Sequence, residues 1–310
     1  MVVGTVYDGG YKAFTWSESM GFNYLTPLSG YGSSYAWAVN DKGQVIGNSC
    51  FNGYIDRACL WEEDKPVTDI GALPSGEFNS DSRAYDINNN GQVVGSSTSS
   101  DGHTHAFRWS KDGGLEDLTE IDDGFIDAYV NAINDSGTMV GERNGRAFIW
   151  NKDTGMCDVD VIGQDRYTGI DINNSGQVLG IFGNFSSIGP TFVWQEGVEA
   201  TFLSALPGGT RGDYIWGNDI NNLGQVVGES SRQAFIWDKI NGTQSLPLLS
   251  EHSGAAYCIN DNGVIAGYSY DNAGKMHFVV WTPVPEPSSI LALVGGIAGL
   301  GGFALRRRRS

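Results

Sequence analysis

Ala84-Tyr85-Asp86-Ile87-Asn88-Asn89-Asn90-Gly91-Gln92-Val93-Val94-Gly95, followed after a short loop by His105-Ala106-Phe107-Arg108-Trp109, is the stretch that decides the fold of this chain. Two extended segments flank Asn-x-x-Gly, the pattern of a tight hairpin: Asn folds its side chain back on the turn and Gly takes the positive φ. Phe107 and Trp109, two apart, share one face of a third strand. A fourth extended stretch follows in other copies, at 67–73 and 198–203, and a Pro/Gly/Ser loop then closes the unit.

The unit recurs. Its turn asparagine is Asn40, Asn88, Asn134, Asn173, Asn221 and Asn260; its third strand ends at Trp16, Trp61, Trp109, Trp150, Trp194, Trp237 and Trp281, a mean spacing of 44 residues. Four short strands in ~40–45 residues is the size of a β-propeller blade. The chain therefore reads as an all-β propeller of about seven four-stranded blades over 1–282. The first blade lacks its opening strand and the last its closing one; a β-solenoid of the same repeats is the alternative. The tryptophans are expected to pack between neighbouring sheets. The position three before each motif Ile/Val is small or narrow (Ala36, Ala84, Val130, Gly169, Gly217, Ala256), which places this first strand in the most crowded part of the fold.

Composition narrows the function classes. Glycine supplies 44 of 310 residues, about twice the usual ~7 %, without a collagen period. The formal net charge is −17, and apart from the terminal arginines the chain lacks the clustered Lys/Arg that nucleic-acid backbones require. Cys50, Cys59, Cys157 and Cys258 have no zinc spacing; Cys50 and Cys59 flank a loop and are either a cross-strand disulfide or two buried thiols. The run 86–91 imitates the start of a calcium loop, but Ser97 and Val94 stand where acidic ligands belong, so it reads as a turn. His103 and His105 share a strand face without an identifiable third ligand. Neither a metal nor an organic cofactor is called for, and no nucleophile elbow or phosphate loop is present. Aromatics outside the repeat pattern, Trp37, Tyr85, Tyr257 and Trp216, are the candidates for a ligand face, against a reading as core packing.

The A-F-x-W plus I-N-x-x-G-x-V-V-G repeat, with His105-Ala106-Phe107 spelling its name, resembles the HAF-type extracellular repeat. Cys59 and Thr191 depart from that pattern. The resemblance implies export and repeat architecture, and no activity. After Trp281 the composition changes to Val284-Pro285-Glu286-Pro287-Ser288, sixteen uncharged residues over 290–305, and Arg306, Arg307, Arg308 and Arg309. As a helix the apolar run is ~24 Å long, short of a ~30 Å hydrocarbon core unless Ser288, Ser289 and snorkelling arginines extend it. The arginines would hold its end in the cytoplasm.

This order of elements in 283–310 closely resembles the PEP-CTERM sorting signal of Gram-negative bacteria. The resemblance implies that an exosortase, a membrane transpeptidase, acts at Pro285-Glu286-Pro287, and that the chain is transiently anchored in the inner membrane and then reaches the cell surface or exterior. Met1-Val2-Val3-Gly4 is already the V-V-G of a repeat, so a signal peptide and a further I-N-x-x-G are expected upstream. The expected function is a non-enzymatic surface or matrix protein that binds polysaccharide or protein. The alternative is an extracellular propeller hydrolase or lyase acting on glycans, since paired carboxylates cannot be read from spacing.

Overall fold

The computed structural model describes residues 1–76, 80–119, 127–159, 166–183, 189–206, 214–283 and, for the backbone alone, 292–298. Every regular element of more than one turn among them is a strand. The chain divides into two compact units, Met1–Asp158 and Val159–Leu300.

The first unit holds four antiparallel meanders. Sheet 1 is three-stranded, β1 (Val2–Tyr7), β2 (Tyr11–Ser17) and β3 (Gly21–Leu25). Sheet 2 is β4 (Ser33–Val39), β5 (Val45–Phe51), β6 (Ile55–Trp61) and β7 (Thr68–Gly71). Sheet 3 is β8 (Ser82–Ile87), β9 (Val93–Thr98), β10 (Thr104–Ser110) and β11 (Gly114–Asp117). Sheet 4 is β12 (Ala128–Ile133), β13 (Met139–Arg143), β14 (Arg146–Asn151) and β15 (Gly155–Asp158).

The second unit holds three. Sheet 5 is β16 (Tyr167–Ile172), β17 (Val178–Phe182), β18 (Thr191–Gln195) and β19 (Val198–Phe202). Sheet 6 is β20 (Ile215–Ile220), β21 (Val226–Ser230), β22 (Gln233–Asp238) and β23 (Gly242–Ser245). Sheet 7 is β24 (Gly254–Ile259), β25 (Ile265–Tyr270), β26 (Met276–Thr282) and β27 (Ala292–Ala298). These are seven propeller-type blades. A solenoid would pair each strand with its equivalent in the next repeat; here every ladder joins consecutive strands of one repeat.

Within each unit the core lies between consecutive sheets. Val3 and Ala13 meet Ala36, Val45 and Trp61, while the opposite face of sheet 2, through Ala38, Ile46 and Ile70, meets Ala84, Ile87 and Phe107. In the second unit Leu179 and Ile170 pack on Ile220 and Trp237, and Val227 and Leu246 on Ile259 and Trp281. Four of the seven repeat tryptophans, Trp61, Trp150, Trp237 and Trp281, are buried; at ~200 Å² apiece, burial is worth about 5 kcal/mol gross for each. Two also pin the loop entering their sheet: Trp61 Nε1 donates to Thr26 O and Trp281 Nε1 to Pro247 O, both at 2.7 Å.

Each first strand from sheet 2 to sheet 7 carries a β-bulge at the same place. The register slips between Ala36 and Ala38, Ala84 and Asp86, Val130 and Ala132, Gly169 and Asp171, Gly217 and Asp219, and Ala256 and Cys258. The bulge explains the second glycine of the motif. A Cβ at Gly95 would stand 1.9 Å from Arg83 O and 2.8 Å from Phe107 Cζ. Phe107 is that glycine's cross-strand partner on the other side, so its ring lies in the space a side chain would need. The two halves of the repeat are therefore one packing unit, bulge carbonyl, glycine and phenylalanine.

The last sheet corrects one expectation, that it lacks its closing strand: Ala292–Ala298 forms β27, antiparallel to β26 from Thr282↔Ala292 to His277↔Ala298. The remainder of 290–305, where a helix is expected, lies outside the described residues. A wholly apolar run fits strand and helix patterns alike, and pairing satisfies the backbone groups along the open edge of β26. No helix among the described residues is long and apolar enough to cross a membrane.

Candidate functional site

The Asp-Ile-Asn turns, which imitate a calcium loop in sequence, join neighbouring sheets. Asn88 Oδ1 accepts from Asn90 N and Gln92 N, both at 3.0 Å, and shapes its own turn. Its Nδ2 donates to Gln92 Oε1 at 2.8 Å and, across the interface, to Asn134 O at 3.0 Å. Asn40 reaches Asn88 O in the same way, Asn173 reaches Asn221 O, and Asn221 reaches Asn260 O. The preceding aspartate reaches forward too: Asp86 Oδ2 accepts from Ile133 N, Asp171 Oδ2 from Ile220 N and Asp219 Oδ2 from Ile259 N. Of the acceptors that a cation would need, Asn88 Oδ1 is engaged by its own turn and Asp86 Oδ2 by the next sheet.

The bulges set the candidate ligand side chains. The extra residue that the strand register skips at each is Trp37, Tyr85, Asn131, Ile170, Asn218 or Tyr257, so the expected positions Trp37, Tyr85 and Tyr257 are three copies of one re-aimed side chain. Tyr85 is half-buried and hydrogen-bonded to Ser96 Oγ at 3.0 Å. Trp216, one residue ahead of its bulge pair, packs against the core between sheets 5 and 6. Trp37 ends an aromatic ladder in the first unit. Tyr7 and Tyr11, 53 % and 42 % exposed at the β1–β2 turn, meet edge-on at 5.2 Å. Tyr11 lies 5.2 Å from Tyr35, which stacks on Trp37 at 6.3 Å with 10° between the rings.

In the second unit Tyr257 abuts Tyr268 at 5.7 Å, and Tyr268 meets Tyr270 edge-on at 5.7 Å. Beside them opens a cleft of about 470 Å³ between sheets 6 and 7, whose walls include Tyr214, Glu229, Arg232, His252, Tyr268 and Tyr270. Tyr214 donates its hydroxyl to Glu229 Oε1 and accepts from Arg232 N at 3.1 Å. Burial, then the adjoining carboxylate, pushes the Tyr214 pKa up to about 12, so the phenol keeps its proton and acts as the donor. Arg232 sits in a two-residue β21–β22 turn with φ of 50° at Ser231 and 72° at Arg232. The matching turn of sheet 4 has Asn144-Gly145 with φ of 52° and 75°, the residues such a turn ordinarily takes. None of the lining residues is among the expected positions, and Tyr257 only abuts Tyr268 of the wall; the signal that points here is Ser-Arg where a sister repeat has Asn-Gly.

The two histidines face different carboxylates. His105, 8 % exposed, has Asp117 Oδ2 at 2.7 Å on Nδ1 and Asp101 Oδ2 at 3.0 Å on Nε2, while His103 faces Asp127 at 3.7 Å. Burial opposes the charged imidazole of His105, but the two carboxylates outweigh it and raise its pKa. Cys50 and Cys59 are free, which corrects the disulfide reading. Across β5 and β6 Cys50 faces Asp56 and Cys59 faces Gly47, so three residue steps separate them, about 10 Å along the ladder. The sorting motif Pro285, Glu286 and Pro287 and the basic run Arg306 to Arg309 lie outside the described residues.

Two sequence families match the chain. Residues 26–112 match a protein of unknown function, DUF3466, and residues 283–309 match the PEP-CTERM protein-sorting motif. Neither match is to the HAF-type repeat. No curated protein sequence matches. Among solved structures, BP39L lectin from Burkholderia pseudomallei is similar at a TM-score of 0.50 and 10 % identity, over 96 % of this chain and 94 % of that one. TolB from Acinetobacter baumannii is similar at 0.50 and 9 %, over 90 % and 75 %. AofleA from Arthrobotrys oligospora reaches 0.48 at 9 %, over 87 % of each. At these identities the likeness concerns the fold alone. The sorting motif marks the chain for export, exosortase processing and delivery to the cell envelope or surface.

Proposed function

We propose that this is a non-enzymatic surface or matrix protein, built of HAF-type repeats, that binds extracellular polysaccharide once its sorting segment has been processed. In this reading 290–305 anchors the chain in the inner membrane as a helix until exosortase acts at Pro285-Glu286-Pro287. The observation that carries the binding is the ladder of Tyr7, Tyr11, Tyr35 and Trp37, with two of its rings open to solvent. Flat rings with polar tips offer faces to the C–H side of sugar rings and hydroxyls to their rims. A row of them suits a polymer better than a single small molecule. Export of an acidic, soluble repeat protein to the envelope brings that surface to where polysaccharide lies.

Electrophoresis of the full chain through gels containing dextran, levan or curdlan tests the reading. Retardation in at least one gel, reduced in Tyr11→Ala and Trp37→Ala, is the expected result. Mobility equal to that in plain gels throughout would overturn it.

A further inference from the structure

We infer that the cleft between sheets 6 and 7 is a built binding site for one neutral sugar unit, with Glu229 and Arg232 holding its hydroxyls and Tyr268 and Tyr270 its apolar side. The inference rests on the polysaccharide reading above and names a second, differently constructed subsite for it.

The first argument is conformational. Ser231 and Arg232 both occupy the left-handed region that side-chain-bearing residues avoid, where sheet 4 has Asn-Gly. The surroundings over-determine this geometry: Arg232 N donates to Tyr214 Oη at 3.1 Å, and Arg232 O accepts from Gly254 N of the next sheet at 2.9 Å. Glycine would meet both contacts at lower cost, because each uses backbone atoms only. What the arginine adds is its guanidinium at the cleft wall, with no ion pair among the described residues.

The second argument is chemical. Tyr214 fixes Glu229 through Oε1, leaving Oε2 without a hydrogen-bond partner among the described residues. A fixed carboxylate acceptor beside a fork of guanidinium donors matches adjacent sugar hydroxyls, each of which donates and accepts. The cleft has room for one such ring. A carboxylate at the wall and a chain charge of −17 disfavour an anionic ligand.

The test uses the full chain and its Ser231→Asn/Arg232→Gly and Tyr268→Ala variants. Binding is read by saturation-transfer NMR with methyl glycosides of glucose, galactose, mannose, rhamnose and N-acetylglucosamine and with methyl galacturonate, beside the gel assay. The expected result is binding of at least one neutral glycoside, weakened about tenfold or more in both variants. The Asn-Gly variant should also unfold at an equal or higher temperature, which separates loss of the site from loss of the fold. Gel retardation of the wild type with glycoside binding absent, or unchanged in both variants, overturns the cleft and leaves the polysaccharide reading standing. A response to galacturonate alone overturns the neutral class. Absence of both retardation and glycoside binding overturns the two together.

Discussion

The inter-sheet asparagine can be weighed against an internal control in the same unit. Asn221 is fully buried and uses its whole amide: Oδ1 accepts from Leu223 N at 3.1 Å and Gln225 N at 2.9 Å, while Nδ2 donates to Gln225 Oε1 at 2.8 Å and Asn260 O at 3.1 Å. Asn260 makes the same two turn bonds, to Asn262 N and Val264 N, but its Nδ2 donates to no described residue. At a net ~1 kcal/mol per bond, Asn221→Ala should cost about 4 kcal/mol and Asn260→Ala about 2, a difference of about 2 that isolates the two donated bonds. Urea unfolding followed by tryptophan fluorescence reads it, with unchanged m-values as the check that only stability moved. Asn221→Asp sharpens the test. Its carboxylate would set an oxygen against Asn260 O, so its folded pKa should lie above the ordinary ~3.9. The resulting stability is present at low pH and lost as pH rises through that value. Equal costs for the two alanine variants, within about 0.5 kcal/mol, would refute the claim that these side chains join the sheets.

Gly95→Ala should destabilise by about 3 kcal/mol or more, because the new methyl meets a backbone carbonyl at 1.9 Å; Gly10→Ala, with nothing closer than 4.0 Å, should move the urea midpoint little. The first unit should lose stability as pH rises from 6.5 through the raised pKa of His105, since the paired imidazolium is the stabilising form. His105→Gln should flatten that slope, and an NMR titration placing the His105 pKa at or below 6.5 would contradict it. In lipid vesicles the full chain should gain helical circular dichroism equivalent to the sixteen residues of 290–305; a spectrum identical to that in buffer would count against the membrane helix.

Repeat spacing was enough to place most sheets. The turns at Asn-x-x-Gly, the positive φ of Gly91 at 78° and its equivalents, and a fourth strand inside 67–73 and 198–203 all follow from local chemistry. The partners of Asn88 and Asp86 were not legible, for a physical reason. An asparagine that caps its own turn and one that also reaches 46 residues ahead look identical when every copy carries the same residues. Gly95 was hidden likewise, because its necessity comes from a bulge in one strand and a phenylalanine in another. The closing strand at 292–298 is not legible, because a uniformly apolar run has no period to arbitrate between strand and helix.

The repeat thus sorts its own positions. Residues that recur are those whose partners recur: the turn Asn, joined in three copies by an Asp that bonds to the next sheet, the Gly under the bulge, and the Phe above that Gly. The bulge residue itself, Trp37, Tyr85, Asn131, Ile170, Asn218 or Tyr257, is skipped by the strand register, and the β21–β22 turn touches its neighbours through backbone atoms. Ile170 is committed to the core between sheets 5 and 6, and Asn218 Nδ2 donates to Ala256 O of the next sheet; where a bulge or turn side chain makes no such contact it can change without unpicking an interface, which is where binding chemistry can be added to a repeating scaffold. Ser231-Arg232 goes further than neutral variation, since it departs from Asn-Gly toward residues the backbone disfavours. If no ligand called for that arginine, restoring Asn-Gly would raise stability and alter nothing else, so a variant that is more stable yet binds sugar as well as the wild type would remove the reason for looking in this cleft.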